Sequence, residues 1–206
     1  NAVFLLFCQE GCHKMVKEFE ILICRLNLAS TTRMQIGTMN RTWLGIGALA
    51  AGLTCASASV IAEEEVTIPS RGGVTVSFVV NEPAQQPKAV AILFAGGSGK
   101  LKLWKGRGAR SKNFLVRSRT RFSERGILTL TLDVPSDRRR KGLKEFRDSD
   151  DHKEDVAAVI RWVRDRTMAP VWLIGTSRGT VSLGHLTAKL PVDGAVFTTS
   201  VTEEGR

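Results

Sequence analysis

A chain of 206 residues with 43% hydrophobic composition is long enough to bury the core of one domain, and this length excludes two domains of full size. The net charge is +10, and most of the excess lies between residues 100 and 147, which hold sixteen Lys and Arg against four Asp and Glu. No nucleic-acid motif or stacking pattern of aromatic residues is interleaved with this charge, so we expect no nucleic-acid partner and interpret the region as a solvated face or one attracted to anionic surfaces.

The cysteines are confined to the beginning of the chain, at Cys8, Cys12, Cys24 and Cys55. The C-x3-C-H spacing that ends at His13 is poor for zinc, and no second ligand pair accompanies it. The distribution therefore indicates a leader in front of a thiol-free domain.

Residues 39–58 have the order of a secretory signal peptide: a basic start, an apolar stretch, and small residues at the cleavage site. We expect residues 1–38 to be a non-native or untranslated leader and residues 59–206 to be the mature domain. The protein would then be secreted or periplasmic, without stable membrane insertion once the signal is cleaved. An uncleaved N-terminal anchor is the alternative, because apolar residues continue as far as Ile61.

The mature domain begins with a predicted hairpin. Residues 65–69 and 74–80 are rich in β-forming residues and flank the turn sequence Ser-Arg-Gly-Gly at 70–73. A continuous apolar run at 89–95 then predicts a strand that is buried on both faces, and residues 170–174 predict another buried strand. Further strands are expected at 127–132 and 194–199.

Three helices are predicted between these strands, at residues 111–125, 148–166 and 177–189. The second has acidic residues in its first turns and arginines in its last, which matches the helix dipole. Strands that alternate with helices imply right-handed crossovers. The sequence therefore predicts an α/β fold, with a mostly parallel sheet and helices on both faces.

The motif G-x-S-x-G lies at residues 175–179, between a predicted strand and a predicted helix, and Ser177 is its central residue. A serine on so sharp a turn has a strained backbone, which requires small residues two places before and after it. Its oxygen would protrude at the C-terminal edge of the sheet, above a helix N-terminus that favours negative charge. We predict Ser177 as the nucleophile and Gly175 and Gly179 as its elbow. The alternative is a tight turn in which the serine only caps the helix.

A glycine-rich turn at residues 96–99 follows the predicted strand 89–95. A serine site of this kind needs a backbone N–H there, which completes an oxyanion hole with the N–H of Arg178. Glycine lets the backbone approach the substrate carbonyl. We therefore predict Gly97 as the donor, with Gly96 as the next choice.

In these motifs and their order, residues 65–206 resemble the N-terminal half to two-thirds of an α/β-hydrolase, close to the dienelactone-hydrolase-like and esterase branches. The resemblance implies that Ser177 is a nucleophile, and that Gly97 and Arg178 donate to the oxyanion. It also implies a triad in which an Asp or Glu and then a His follow the serine along the chain. A small-molecule acyl substrate is implied, and no metal or cofactor.

The other triad members are not evident in this sequence. His185 is the sole histidine after Ser177, and about 12 Å of helical rise would separate the two. We interpret His152 as a solvated or capping residue. Glu203 and Glu204 follow the last predicted strand and could supply the acid, as in some members of the family, but we favour a solvated loop. We expect the acid and the histidine beyond residue 206, so that this chain is a fragment that is nearly inactive by itself.

The resemblance implies acyl transfer, in which Ser177 attacks an ester or related carbonyl and water then releases the acyl-enzyme. A different function also fits the sequence. A non-catalytic protein of the same fold could use the basic region at residues 100–147 to bind an anionic partner.

Overall fold

The computed structural model describes residues 5–8, 63–106 and 108–201. The strands of these ranges form one seven-stranded sheet, in the order β1-β7-β6-β4-β5-β3-β2. They are β1 (Leu5–Cys8), β2 (Glu63–Pro69), β3 (Thr75–Asn81), β4 (Ala89–Phe94), β5 (Ile127–Leu132), β6 (Val171–Thr176) and β7 (Gly194–Thr198).

The predicted hairpin is present. Strands β2 and β3 pair in antiparallel register from Glu63↔Asn81 to Pro69↔Thr75. The turn between them is closed by the N–H of Ser70, which donates to the carbonyl of Val74 at 2.9 Å. Gly73 has φ +73°, a conformation that glycine adopts without a steric cost. The β-formers and the Gly-Gly pair therefore act as the sequence predicted.

The sheet is mixed: the predicted parallel arrangement is found in its four central strands, and antiparallel pairs flank them on both sides. Strands β5, β4, β6 and β7 are mutually parallel. The pairings β2–β3, β3–β5 and β1–β7 are antiparallel. The hairpin extends the same sheet because β3 pairs directly with β5, rather than forming a separate layer.

Strand β1 lies within the segment that we predicted to be a non-native leader, and it pairs with β7 from Leu5↔Phe197 to Cys8↔Gly194. The origin of residues 1–38 stays a prediction. The predicted signal peptide at residues 39–58 lies outside the described residues. In the described ranges, no helix combines the length and the apolar character needed to cross a membrane.

In the described ranges, three α-helices cover the sheet: α1 (Phe114–Ser123), α2 (Asp150–Arg164) and α3 (Gly179–Leu186). Single 3-10 turns occur at Leu103–Lys105 and Ser136–Arg138. The first two α-helices begin at capping side chains, because Asn113 accepts from the N–H of Leu115 and Ser149 accepts from the N–H of His152. The third begins two residues after Ser177. The serine therefore lies in the turn, whereas the helix was predicted to start at Ser177 itself.

Helices lie on both faces of the sheet, as predicted. Alternate residues of β4 point to opposite faces, since the side-chain period of a strand is two. Val90, Ile92 and Phe94 pack in the cluster that contains buried residues of α2 and α3. Ala89, Ala91 and Leu93 pack in a second cluster with α1. The parallel strands are thus buried on both sides, and their C-terminal ends meet at one edge.

Candidate active site

Ser177 occupies a sharp bend between β6 and α3. Its φ is +51°, in the left-handed region that non-glycine residues rarely adopt. Neighbouring elements fix this conformation: the N–H of Ser177 donates to the carbonyl of Thr198 at 3.1 Å, and its own carbonyl accepts from the N–H and the hydroxyl of Thr180 at 2.9 and 2.7 Å. Backbone strain of this kind persists only where the surroundings over-determine it, and it clusters at functional sites.

The two glycines of the motif have no room for a side chain. A Cβ at Gly175 would lie 2.8 Å from the carbonyl oxygen of Gly179 and 2.8 Å from Cδ1 of Leu183. A Cβ at Gly179 would overlap the backbone carbonyl oxygen of Phe94 on the neighbouring strand. Both glycines are therefore required by close packing around the bend, which is the reason given for them from the sequence.

The predicted oxyanion turn lies directly against this bend. A Cβ at Gly96 would be 3.1 Å from Cβ of Ser177 and 2.9 Å from the carbonyl oxygen of Thr176. The two motifs meet because β4 and β6 are adjacent parallel strands, with Phe94 paired to Gly175, and each motif begins where its strand ends. The structure thus brings together the serine and the glycine turn that the sequence placed 80 residues apart.

Gly97 has φ +60°, and no atom lies within 4 Å of a Cβ built on it. Its position is exposed, and so is Arg178, which precedes the first residue of α3. Both backbone N–H groups therefore lie in the part of the molecule where Ser177 is found. Their role as oxyanion donors stays a prediction.

Two residues that the sequence analysis did not single out approach the glycine turn. Nδ2 of Asn113 lies 3.2 Å from the position of a Cβ at Gly96. The guanidinium of Arg147 donates to the carbonyls of Ala95 and Gly97 at 2.9 and 3.2 Å. Asn113 could have been recognised as a helix cap. Arg147 carries no distinguishing signal, since it ends a region already crowded with basic residues.

His152 is buried, and the expectation that it is solvated or a cap is wrong. It is 3% exposed and packs edge-on against Phe94, and its Nε2 lies 3.0 Å from the hydroxyl oxygen of Ser182. Burial lowers the pKa of His152 from 6.5 to about 3, and the positive charge of Arg147 acts in the same direction. A neutral ring enclosed in this way is a structural group rather than the base of Ser177.

His185 is also not placed to serve Ser177. It lies on α3 two turns along from the bend, and its Nδ1 and Nε2 lie 3.3 and 3.4 Å from Nζ of Lys189. Glu203 and Glu204 lie outside the described residues. In the ranges that the structure covers, no group of three or more His, Cys, Asp or Glu side chains is arranged to hold a metal ion.

A buried carboxylate stabilises the loop that leads away from the glycine turn. Asp133, 4% exposed at the end of β5, accepts from the N–H groups of Leu101, Leu103 and Val134 at 2.7 to 2.8 Å. A carboxylate with several N–H donors makes strong charge-assisted hydrogen bonds. The loop after the turn is therefore fixed to the C-terminal edge of the sheet.

A surface groove of about 510 Å³ lies away from this site, between the loop at residues 82–87 and the segment that follows α2. Both segments precede parallel strands, so the groove is at the N-terminal edge of the sheet, opposite Ser177. In open α/β sheets, ligands bind outside the carboxyl ends of the strands. The groove is therefore separate from the candidate site at Ser177.

A strand, a bend with a serine at positive φ, a helix, and a glycine turn on the adjacent strand are the parts of a nucleophile elbow with its oxyanion loop. Together with the mixed sheet and its flanking helices, they fit an α/β-hydrolase fold. No protein-family model matches the sequence, and no curated protein resembles it closely enough to be matched.

Solved structures that the chain resembles include esterases, α/β serine hydrolases and a dienelactone hydrolase. One is a cold-adapted esterase from an Arctic intertidal metagenomic library, at 18% identity and a TM-score of 0.48, with 62% of this chain and 55% of that chain covered. Another is an α/β serine hydrolase without a lid from Xanthomonas campestris, at 24% identity and a TM-score of 0.42, with 61% and 56% covered. A dienelactone hydrolase from Anabaena variabilis has 14% identity and a TM-score of 0.46, with 63% and 58% covered. The chain spans only 40 to 58% of the length of these and similar solved structures.

Proposed function

We propose that this protein is a serine hydrolase that cleaves an ester or a related small acyl substrate, with Ser177 as its nucleophile. The observation that carries the proposal is the contact between the strained bend and the glycine turn, where a Cβ at Gly96 would lie 3.1 Å from Cβ of Ser177. A serine that only caps a helix does not need a strained backbone. A nucleophilic serine does, because the sharp bend makes its hydroxyl oxygen project toward the backbone N–H groups.

The chemistry is acyl transfer in two steps. A base removes the proton of the Ser177 hydroxyl as its oxygen bonds to the substrate carbonyl carbon, and the carbonyl oxygen becomes an oxyanion that accepts from the N–H groups of Gly97 and Arg178. The carbon–oxygen bond to the alcohol breaks, and the alcohol leaves with that proton. Water then attacks the acyl-enzyme, which releases the acid and restores the serine.

We further propose that the base and its acid partner come from parts of the protein beyond residue 206, in the chain order that the resemblance implies. Two histidines of the described ranges are unsuited to the role. His152 is enclosed against Phe94 and Ser182, and His185 lies two helical turns from the bend. No step of the proposed reaction requires a metal or an organic cofactor.

A fluorophosphonate probe tests the proposal when it is applied to the protein expressed from its complete reading frame. We expect the probe to modify Ser177, as located by peptide mass mapping, and the Ser177→Ala variant to remain unlabelled. Ser136→Ala, which changes a serine whose hydroxyl accepts from the N–H of Thr75, is the matched control and should label normally. Absence of labelling, together with salt-sensitive binding to a polyanion such as heparin, would instead support the binding-protein alternative.

We also propose that the protein is exported, as the composition of residues 39–58 suggests. N-terminal sequencing of protein recovered from the outside of the cytoplasmic membrane should begin near Ser59. A mature protein that retains the apolar segment would support the anchored alternative.

A further inference from the structure

The backbone of the glycine turn is held at four successive carbonyl groups. Nη2 of Arg147 donates to the carbonyls of Ala95 and Gly97, at 2.9 and 3.2 Å. The carbonyl of Gly96 accepts from the N–H of Gly99 at 3.2 Å, and that of Ser98 accepts from the N–H of Leu143 at 3.0 Å. One guanidinium thus supplies two of the four restraints.

Restraint of these carbonyls also sets the direction of the N–H groups. No peptide bond of the described residues is cis, and in a trans peptide the N–H points opposite to the carbonyl of the preceding residue. The carbonyls of Ala95 and Gly97 point to Arg147, so the N–H groups of Gly96 and Ser98 point away from it. None of the N–H groups of Gly96, Gly97 and Ser98 donates in the turn, loop and side-chain hydrogen bonds of the described chain.

Arg147 is itself fixed from the other side by the helix that follows the serine. It is 1% exposed, and its Nη1 donates to the hydroxyl oxygen of Ser182 on α3 at 3.1 Å. The same hydroxyl oxygen lies 3.0 Å from Nε2 of His152. One buried network therefore joins the glycine turn to the helix that begins at the bend of Ser177.

Burial of a guanidinium has a large desolvation cost, and apolar side chains of similar volume stabilise a core as well or better. Two hydrogen bonds of Arg147 are made to the turn that adjoins Ser177. A role for these bonds in the site would explain why the desolvation cost of the buried guanidinium is tolerated. In an oxyanion site the donors must be held rigidly before reaction, because they act without reorganisation.

We propose that Arg147 is a positioning residue of the oxyanion turn, which aligns the N–H groups of Gly96 and Ser98 through the carbonyls of Ala95 and Gly97 and is itself aligned by Ser182. The inference rests on the proposed function of Ser177. Arg147 contacts no reacting atom; it restricts the two peptide planes that flank the Gly96–Gly97 peptide, and through them the direction of the Gly97 N–H.

The first test measures the backbone directly. In ¹⁵N relaxation of the protein from its complete reading frame, we expect order parameters near about 0.85 for Gly96, Gly97 and Ser98, and a decrease below about 0.6 in Arg147→Met. Arg161→Met replaces an exposed arginine of α2 and should leave them unchanged. Unchanged order parameters in folded Arg147→Met would overturn the proposal, whatever the reactivity of Ser177.

The second test measures reactivity. The rate of fluorophosphonate labelling should fall about 100-fold in Arg147→Met, as a misplacement near 1 Å can produce. Arg147→Lys should recover part of the rate, because an ammonium can still donate to one or two carbonyls. Val163→Ala, a cavity variant of the core, is the stability control: it should lower the melting temperature without this loss of rate.

The outcomes separate the two proposals. If Ser177 is unreactive in the unaltered protein, the proposed function fails, while the relaxation measurement still decides the role of Arg147. If Arg147→Met does not fold, Ser182→Ala replaces it, because loss of that hydroxyl removes the support of Nη1 while the guanidinium stays. A labelling rate in either folded variant equal to that of the unaltered protein would contradict the positioning role.

Discussion

Ser177 has a backbone conformation that costs an L residue about 1–2 kcal/mol, whereas glycine adopts it freely. We therefore predict that Ser177→Gly is more stable than Ser177→Ala by about 1 kcal/mol, since φ is +51° and alanine keeps the Cβ. Denaturation in urea measures the difference. Equal stabilities would show that the bend is not strained in solution, and the main argument against a simple helix cap would be lost.

His152 gives a prediction for pH. Its pKa is lowered to about 3 by burial, with further contributions from Arg147, His185 and Arg71, while the histidine of the unfolded chain titrates near 6.5. Protonation below pH 6.5 thus stabilises only the unfolded chain. The contribution of His152 to stability is complete above pH 6.5 and decreases by about 1.4 kcal/mol per pH unit as the pH falls toward 3.

Between pH 7.5 and pH 5.0, the unaltered protein should therefore lose about 2 kcal/mol more stability than His152→Gln, whose amide keeps a polar partner for Ser182. Val163→Ala is the control, because it destabilises the core without removing a titratable group and should leave the pH dependence in place. The same pH dependence in the unaltered protein and in His152→Gln would mean that the ring is accessible to solvent.

Individual site residues could be predicted from the sequence where a motif fixes both the residue type and the spacing. Gly175, Ser177 and Gly179 lie in a pattern whose spacing encodes a bend, and they are found in one. The sequence did not predict the burial of Arg147 and His152. Both lie in or beside a strongly charged stretch, and charge normally indicates exposure. Their burial depends on partners from distant parts of the chain, Ala95 and Ser182 among them.

Helix α3 provides a prediction at the level of an element, because two of its glycines have opposite surroundings. A Cβ at Gly179 would overlap the carbonyl oxygen of Phe94, which belongs to rigid backbone, and no atom lies within 4 Å of a Cβ at Gly184. We predict that Gly179→Ala lowers the free energy of unfolding by at least about 2 kcal/mol. Gly184→Ala should raise it by about 0.5–1 kcal/mol through helix propensity.

Thermal denaturation of both variants measures the contrast. A fall in melting temperature for Gly179→Ala as small as that of an ordinary surface substitution would show that α3 does not pack as closely on β4 as the structure has it. A fall for Gly184→Ala as well would mean that this part of α3 is not helical in solution.

The strands were predicted more accurately than the way in which they pair. β5 has the predicted bounds, because Gly126 and Asp133 delimit a run of β-forming residues. The apolar character of β4 and β6 predicted their burial correctly. The pairing of β3 with β5 was not encoded in any local pattern, since register and direction depend on which strands meet in space.

For the 206-residue chain as a whole, we predict that it hydrolyses short p-nitrophenyl esters at a rate near that of the uncatalysed reaction. Oxyanion contacts and substrate binding leave only a small residual rate when a triad member is missing. The measurement compares the chain with its Ser177→Ala variant. Turnover that this substitution abolishes would show that a base for Ser177 is contained within these residues.

A crystal structure of the complete protein after reaction with a fluorophosphonate would show directly whether Ser177 is the nucleophile. We expect a phosphonyl group bonded to Oγ of Ser177, with its phosphoryl oxygen about 2.7–3.1 Å from the backbone nitrogens of Gly97 and Arg178. Gly96 would be the alternative partner on the glycine turn. A phosphonyl group on a different residue, or one on Ser177 whose oxygen points away from residues 96–98, would contradict it.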